Sequence, residues 1–438
     1  MNITETVEHN TITLTPGLSS IDITPGIPIP DLSRCEVVIN YKMAQSTTDQ
    51  RNIAVTVQKI AVDKIRLQRG GTGGGVVVGF SIIVYTVASG IIVEDYSDSL
   101  YQNPRPIPIT TRDRSHRYSR VTVRCTSDVG FDLMFVTDEL LASNDTLNIR
   151  GKTQSVSIHI EAQVVYVPDM TVHHFIGTAT GISYPVSLSG LGVVTNEAFC
   201  ILSCRGSGLN PNNIKEANLS SNTQVDIYSY VSKSVYYTLQ VCHRSSNLVI
   251  RNGSIFSLSF DVVNLIPNVI LNRTFVNLPG PYNTFAPTDT STDDAQHCAI
   301  KSILNGVSSI TLEKFILGYE TKIYSEVVFI DGDSGIDVVA LAIAPTAAIA
   351  VERLETESTV VASVAAPTAN VDVSNGSPEA SLDALAIAPT ASISVEKLEL
   401  ELTLVASVAA PTAENTVNNE NFISMVVPFW AASSYKGG

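Results

Sequence analysis

Apolar positions along this chain fall in short, β-branched runs bounded by Gly, Pro, Asn, Asp or Ser, a pattern that predicts strands and turns and few helices. Glu36-Val37-Val38-Ile39, Ile53-Ala54-Val55-Thr56-Val57, Val121-Thr122-Val123, Ser155-Val156-Ser157-Ile158-His159-Ile160 and Glu326-Val327-Val328-Phe329-Ile330 are examples. Near the C-terminus, Leu398, Leu400, Leu402, Leu404, Ala406 and Val408 alternate with Glu399, Glu401, Thr403, Val405 and Ser407. A period of two specifies a half-buried strand and argues against an amphipathic helix. The expected class is all-β, with tandem β-sandwich-like domains and a C-terminal repeat region of 22- and 44-residue periods.

Punctuation along the chain predicts four segments. Residues 1–33 carry Ile12-Thr13-Leu14-Thr15-Pro16-Gly17 and Ile21-Asp22-Ile23-Thr24-Pro25-Gly26, followed by Ile27-Pro28-Ile29-Pro30. Prolines at this density forbid a central strand, so an extended arm lying on another surface is expected. Its removal should weaken assembly without unfolding the domains. Residues 34–168 and 169–330 then read as two β-domains, divided near Pro168-Asp169, and residues 331–438 as the repeat region.

That last region is a duplication. Ala340–Ala369 aligns with Ala384–Ala413 with 24 of 30 positions identical, and Pro-Thr-Ala recurs at Pro345, Pro367, Pro389 and Pro411, every 22 residues. Each pair of units reads as a short strand (Ile349 and Val351, or Ile393 and Val395), a turn, and a longer strand ending at proline, with a clear turn at Asn375-Gly376-Ser377-Pro378. Repeats bury their apolar faces only against neighbours, so the units form either sandwich modules or a stacked β-fibre. The stretch from Ile393-Ser394-Val395-Glu396 to Ala409-Ala410-Pro411 resembles the bacterial immunoglobulin-like modules of phage virion and bacterial surface proteins, over about a fifth of the chain. The resemblance implies a spacer, decoration or fibre role and carries no catalytic residues.

Length and charge narrow the function. At 438 residues the chain exceeds the ~250–300 at which one core stops growing. Only 16% of residues are charged, against ~25% in an ordinary soluble domain, which points to a surface covered by neighbours. A net charge of −15 disfavours nucleic acid as a partner. The N-terminus lacks a secretory pattern. The apolar run Val76–Val93 has the length of a membrane span, but its β-branched content and its interruption at Gly79 and Ala88-Ser89-Gly90 fit two adjacent buried strands, so no membrane span is expected. Six dilute cysteines read as free buried thiols, and the Asn-x-Ser/Thr sequons as chance.

Several constellations invite chemistry. Gly332-Asp333-Ser334-Gly335 matches a trypsin-like nucleophile tetrapeptide, and Ala295-Gln296-His297-Cys298 faintly matches the histidine motif; that family places the two on different barrels, and 37 residues are too few. Asp331, Asp333 and Asp337 space carboxylates around glycines in a manner that suits Ca²⁺ as a cofactor, although the distal bidentate Glu of an EF-hand is missing. Cys200, Cys204, Cys242-His243 and His297-Cys298 lack the paired spacing of structural zinc, and His173-His174 reads as a loop or interface pair. Arg69-Gly70-Gly71-Thr72-Gly73-Gly74-Gly75 lacks the Gly-Lys-Ser/Thr of a phosphate loop and reads as a hairpin loop. The one basic cluster runs from Arg105 to Arg124. Within it Arg112, Arg114, Arg117 and Arg120 are expected to form an interface, because residues 331–420 hold fourteen acidic and two basic residues and subunits of opposite local charge steer one another.

The sequence therefore predicts a non-enzymatic virion structural protein, a capsid-associated, decoration or fibre component that works as a homo-oligomer or with other virion subunits. The alternatives are a cell-surface adhesin or carbohydrate-binding β-protein, extracellular in place, and a phage glycan depolymerase with carboxylates paired across a cleft.

Overall fold

In the computed structural model the described residues are 5–330, apart from 46–48, 128–129, 153–154, 257–258, 266–270, 290–297 and 316–319, and, beyond 330, ten strands between 338 and 437. The chain divides into two compact units, residues 4–330 and residues 331–438 with 1–3. Strands dominate both, so the all-β class and sandwich-like architecture hold.

The larger unit is one six-stranded sandwich repeated four times. The first module comprises β1 (Glu5–Leu14), β2 (Ser20–Ile23), β3 (Cys35–Met43), β4 (Val55–Ala61), β5 (Lys64–Arg69) and β6 (Val76–Tyr85). Its first, sixth and third strands form one antiparallel sheet in the order β1-β6-β3, and its second, fifth and fourth form the other, β2-β5-β4. The second module repeats this with β7 (Ile92–Leu100), β8 (Arg105–Pro108), β9 (Arg117–Cys125), β10 (Thr137–Leu140), β11 (Thr146–Arg150) and β12 (Ser155–Tyr166). The third uses β13 (Thr171–Ala179), β14 (Ser183–Ser187), β15 (Ala198–Arg205), β16 (Glu216–Ser221), β17 (Gln224–Tyr228) and β18 (Val235–His243). The fourth uses β19 (Asn247–Phe256), β20 (Phe260–Asn264), β21 (Thr274–Asn277), β22 (Ile300–Asn305), β23 (Ser309–Lys314) and β24 (Thr321–Ile330). In every module a 3-10 turn leads into the third strand: Leu32–Arg34, Arg114–His116, Thr195–Glu197 and Leu271–Arg273.

The sixth strand of each module is central in its sheet and buried on both faces, which is why its sequence is a nearly continuous apolar run. In β6, Val78, Phe80 and Ile82 face the sandwich core, while Ile83 and Tyr85 face a cluster to which all four modules contribute. The run Val76–Val93 is thus β6 followed by β7, broken by a 3-10 turn and by Gly90 at φ +68°, a left-handed position that favours glycine. Among the described residues no helix is long and apolar enough to cross a membrane.

The structure departs from the expected N-terminal arm. Residues 5–23 supply β1 and β2, paired along their length with β6 and β5, and Val7, Leu14, Ile23 and Ile29 enter the core. The prolines do their expected work locally, since both strands are sheet edges and the prolines fall between and after them. The glycine-rich stretch is likewise no hairpin: it crosses between sheets from β5 to β6. Arg69, 1% exposed, holds it by donating to the carbonyls of Thr15, Leu18, Asn52, Gly73 and Gly74.

In the C-terminal unit the 22-residue period becomes two parallel five-stranded ladders. Strands Val338–Ala342, Thr359–Ala365, Ser381–Ile387, Thr403–Val408 and Ser424–Val426 form one, and the strands that alternate with them, from Thr346–Val351 to Ser433–Gly437, form the other. Thr368 pairs with Thr390 and Thr390 with Thr412, so like residues stack at one-repeat offset. The turn 375–378 and Leu398–Leu402 lie outside the described residues.

Candidate functional site

The residues that distinguish this molecule lie where its four modules meet. Strand register makes positions equivalent between modules: the sixth-strand residues Ser81, Gln163, Gln240 and Glu326 pair with His9, Asp95, His174 and Arg251 on the first strands. They pair with Val38, Arg120, Ile201 and Asn277 on the third strands.

Each sixth-strand residue faces the third strand of the preceding module. Gln163 accepts from the N–H of Val37 at 2.9 Å and donates to its carbonyl at 2.7 Å. Gln240 does the same to Ser119, at 2.8 and 3.1 Å. Glu326 accepts from the N–H of Cys200 at 2.9 Å, but a carboxylate cannot donate, and Asn277 supplies the bond to the Cys200 carbonyl at 2.7 Å. Val37, Ser119 and Cys200 are the same position of three modules, so one carboxamide-like clamp is built three times. Gln240 is 1% exposed. Gln240→Ala strands a buried N–H and C=O and is expected to cost roughly 2–4 kcal/mol in denaturant unfolding; a loss below about 1 kcal/mol would show that water replaces the amide.

A second contact also recurs. A donor from the first strand, or beside it, reaches the carbonyl of the first residue of the preceding module's 3-10 turn. His174 Nε2 lies 3.0 Å from Arg114 O, His9 Nε2 lies 3.1 Å from Leu271 O, and Arg251 donates to Thr195 O. Asp95 cannot donate, so Lys59, 2.8 Å from that carboxylate, reaches Leu32 O at 2.8 Å. The contact between the Leu271–Arg273 turn and β1 joins the last module to the first, so the four modules close a ring.

At its centre Glu36, fully buried, accepts from Tyr85 at 2.7 Å, Tyr118 at 2.6 Å and Arg120 Nε at 2.6 Å. Arg120 continues to Asn277 at 3.0 Å, Asn277 to Glu326 at 2.7 Å, and Glu326 pairs with Arg251 at 3.1 Å. The equivalent third-strand residues Tyr118, Phe199 and Phe275 stack edge to face at 5.8 and 5.9 Å, and Arg120 lies 5.6–5.8 Å from all three rings. Burial works against the Arg120 charge, yet Glu36 and Tyr118 hold its pKa above the ordinary value; burial and Glu36 push the Tyr118 hydroxyl well up. Burial also raises the Glu326 carboxyl against the pull of Arg251. These groups cement the ring: each charge is spent on a partner from another module or on the neighbouring strand.

The seam histidines make the ring acid-sensitive. Burial, with the nearby Arg114 charge, lowers His174 from 6.5 to about 4. Its folded pKa lies below its unfolded one, so the unfolded chain binds more protons, and stability present above pH 6.5 is lost as pH falls toward 4. The loss is about 3 kcal/mol at most. His174→Gln, which can still donate to Arg114 O, is expected to flatten the melting-temperature profile across that window, and an unchanged slope would remove His174 from the account.

Residues singled out from sequence fare unevenly. Arg120 and Arg117 are buried, at 8% and 1% exposure, and so are not free to meet another subunit: Arg120 is in the hub, and Arg117 donates to the carbonyls of Asn144 and Thr110. Arg112 sits over Tyr166 near Glu94, and Arg114 belongs to the 3-10 turn that receives His174. Of the four, Arg117 and Arg120 are therefore internal, while Arg112 and Arg114 are half-buried ahead of β9. His173-His174 lies on strand β13. Cys200, Cys204 and Cys242 are buried and free in three different core clusters, and Cys298 is buried in the cluster that holds Cys204. Among the described residues, no three His, Cys, Asp or Glu side chains group to hold a metal. Asp331, Asp333, Asp337, Gly332-Asp333-Ser334-Gly335 and His297 lie outside the described residues.

Glu36, Gln163, Gln240, Asn277 and Glu326 were not singled out from sequence. Their signal was a polar residue between apolar ones in a strand, as in Ala162-Gln163-Val164 and Leu239-Gln240-Val241. No protein-family model matches this chain, and no curated protein matches it.

Proposed function

We propose that this chain is a structural component of a virus particle, acting through assembly with its own copies or with partner subunits. The observation that carries the reading is the pair of parallel ladders in residues 338–437. Their outermost described strands, Val338–Ala342 and Ser424–Val426 in one and Thr346–Val351 and Ser433–Gly437 in the other, each have a neighbour on one side only. An unpaired strand edge is a template for another chain, and proteins that do not use such edges blunt them with charge or cover them. A sparse 16% of charged residues supports the same reading. The ring of four modules adds a rigid body whose buried polar residues serve cohesion.

The test is light scattering behind size-exclusion chromatography, followed by electron microscopy of the full chain. Regular oligomers or filaments are expected. A dispersed monomer at all concentrations would overturn the proposal.

A further inference from the structure

The ring closes at four seams, but only three are filled. At the fourth, between the last module and the first, Ser81 stands where the others carry Gln163, Gln240 and Glu326. Serine is three heavy atoms shorter than glutamine, and its hydroxyl is engaged with His9 Nδ1 at 2.9 Å. Leu271 O can only accept, so His9 Nε2 carries the proton and Nδ1 accepts from Ser81. Val276 is the counterpart of Val37, Ser119 and Cys200, on an edge strand, and among the described residues no side chain clamps its backbone.

Between Ser81 and Val276 lies a cavity of about 300 Å³, lined also by His9, Asn40, Phe80 and Ser302. The space beside Gln163 and Val37, at a filled seam, is about 30 Å³. The large cavity does not come from a parted seam. Asn40 grips Ser302 twice, at 2.8 and 2.9 Å, and Asn283 donates to Ile39 O at 3.1 Å. Gly79 allows this approach: a Cβ there would stand 2.8 Å from Asn40 Oδ1 and 2.9 Å from Ser302 O. The slot is pre-formed.

We propose that this slot binds a small neutral ligand through a carboxamide, either a free amide or the acetamido group of an N-acetylated sugar. A primary amide takes the place of the missing glutamine, with its oxygen toward the Val276 N–H and its N–H toward the Val276 carbonyl, whereas an acetamido group, whose N–H is trans to its oxygen, makes only the first of these bonds. Among the described residues, no Asp, Glu, Lys or Arg lines the cavity, which selects against carboxylates, phosphates and amines. Asn10, Thr11 and Ser302 offer partners for hydroxyls, while Phe80 and Val276 offer apolar surface, the mixed lining of a small-molecule site. This proposal is independent of the assembly reading.

The test titrates the full chain with acetamide, N-acetylglucosamine and glucosamine, followed by ligand-observed NMR and thermal shift at millimolar concentrations. Acetamide and N-acetylglucosamine are expected to bind, glucosamine not. Binding of acetamide alone assigns the slot to free amides, and binding of N-acetylglucosamine assigns it to sugars. Ser81→Gln should fill the slot, raise the melting temperature and weaken either ligand by at least about ten-fold, whereas Ser81→Ala should keep binding. Should Ser81→Gln fail to fold, hydrogen exchange at the Val276 amide of the unaltered protein decides, with slowing by ligand expected. Equal binding of glucosamine, undiminished binding to a folded Ser81→Gln, no binding by either amide, or an unprotected Val276 amide would each overturn the proposal.

Discussion

Arg120→Met is expected to lower the unfolding free energy of the ring by about 3–5 kcal/mol, the cost of removing one partner from a buried ion pair. The loss falls on Glu36. With Arg120 present, that fully buried carboxylate is balanced by a guanidinium and two phenols from two modules. Without it, only the two hydroxyls remain, and Asn277 loses the donor that ties it to the second module. Methionine keeps much of the side-chain volume among Tyr118, Phe199 and Phe275, so lost packing is small. Adding Glu36→Gln to the variant removes the stranded charge and should restore part of the loss. Urea unfolding followed by near-ultraviolet circular dichroism measures both. A single variant within about 1 kcal/mol of the parent would deny the hub its role.

Deleting residues 1–30 is expected to unfold the first module, contrary to the dispensable arm that the prolines implied. The deletion strips both sheets of an edge strand and removes Val7, Leu14, Ile23 and Ile29 from the core. At ~1.5–3 kcal/mol per buried side chain, the loss is roughly 6–12 kcal/mol, comparable with the ~5–15 kcal/mol net stability of a folded domain. The cut also removes His9, and with it a bond that closes the ring. Soluble expression with unchanged circular dichroism would contradict this. The contrast with the sequence reading is instructive: Pro16, Pro25, Pro28 and Pro30 exclude a central strand but leave edge strands before and between them untouched.

The legibility of the chain divides along the same physical line. The C-terminal repeat could be seen because 24 of 30 residues coincide, and parallel stacking at one-repeat offset rewards such identity by placing like on like. The fourfold repetition of the larger unit left almost no trace, because what recurs is a hydrogen-bonding task. His9, Lys59, His174 and Arg251 all donate a hydrogen bond to a turn carbonyl, and Gln163, Gln240 and the Glu326–Asn277 pair all satisfy one backbone position. Alternation and turn residues exposed the strands, but only pairing could show that Arg117 and Arg120 point inward.

The ladders have a consequence for how this molecule can change over generations. Each described strand there pairs only with strands one repeat before or after it, and neighbouring strands lie about 4.7–4.9 Å apart. Insertion or loss of one whole unit leaves all other pairings in register and shifts the far end by a single such step. The C-terminal unit thus behaves as a ruler with a fixed graduation, whose length unequal recombination between its near-identical halves can reset without inventing a new fold.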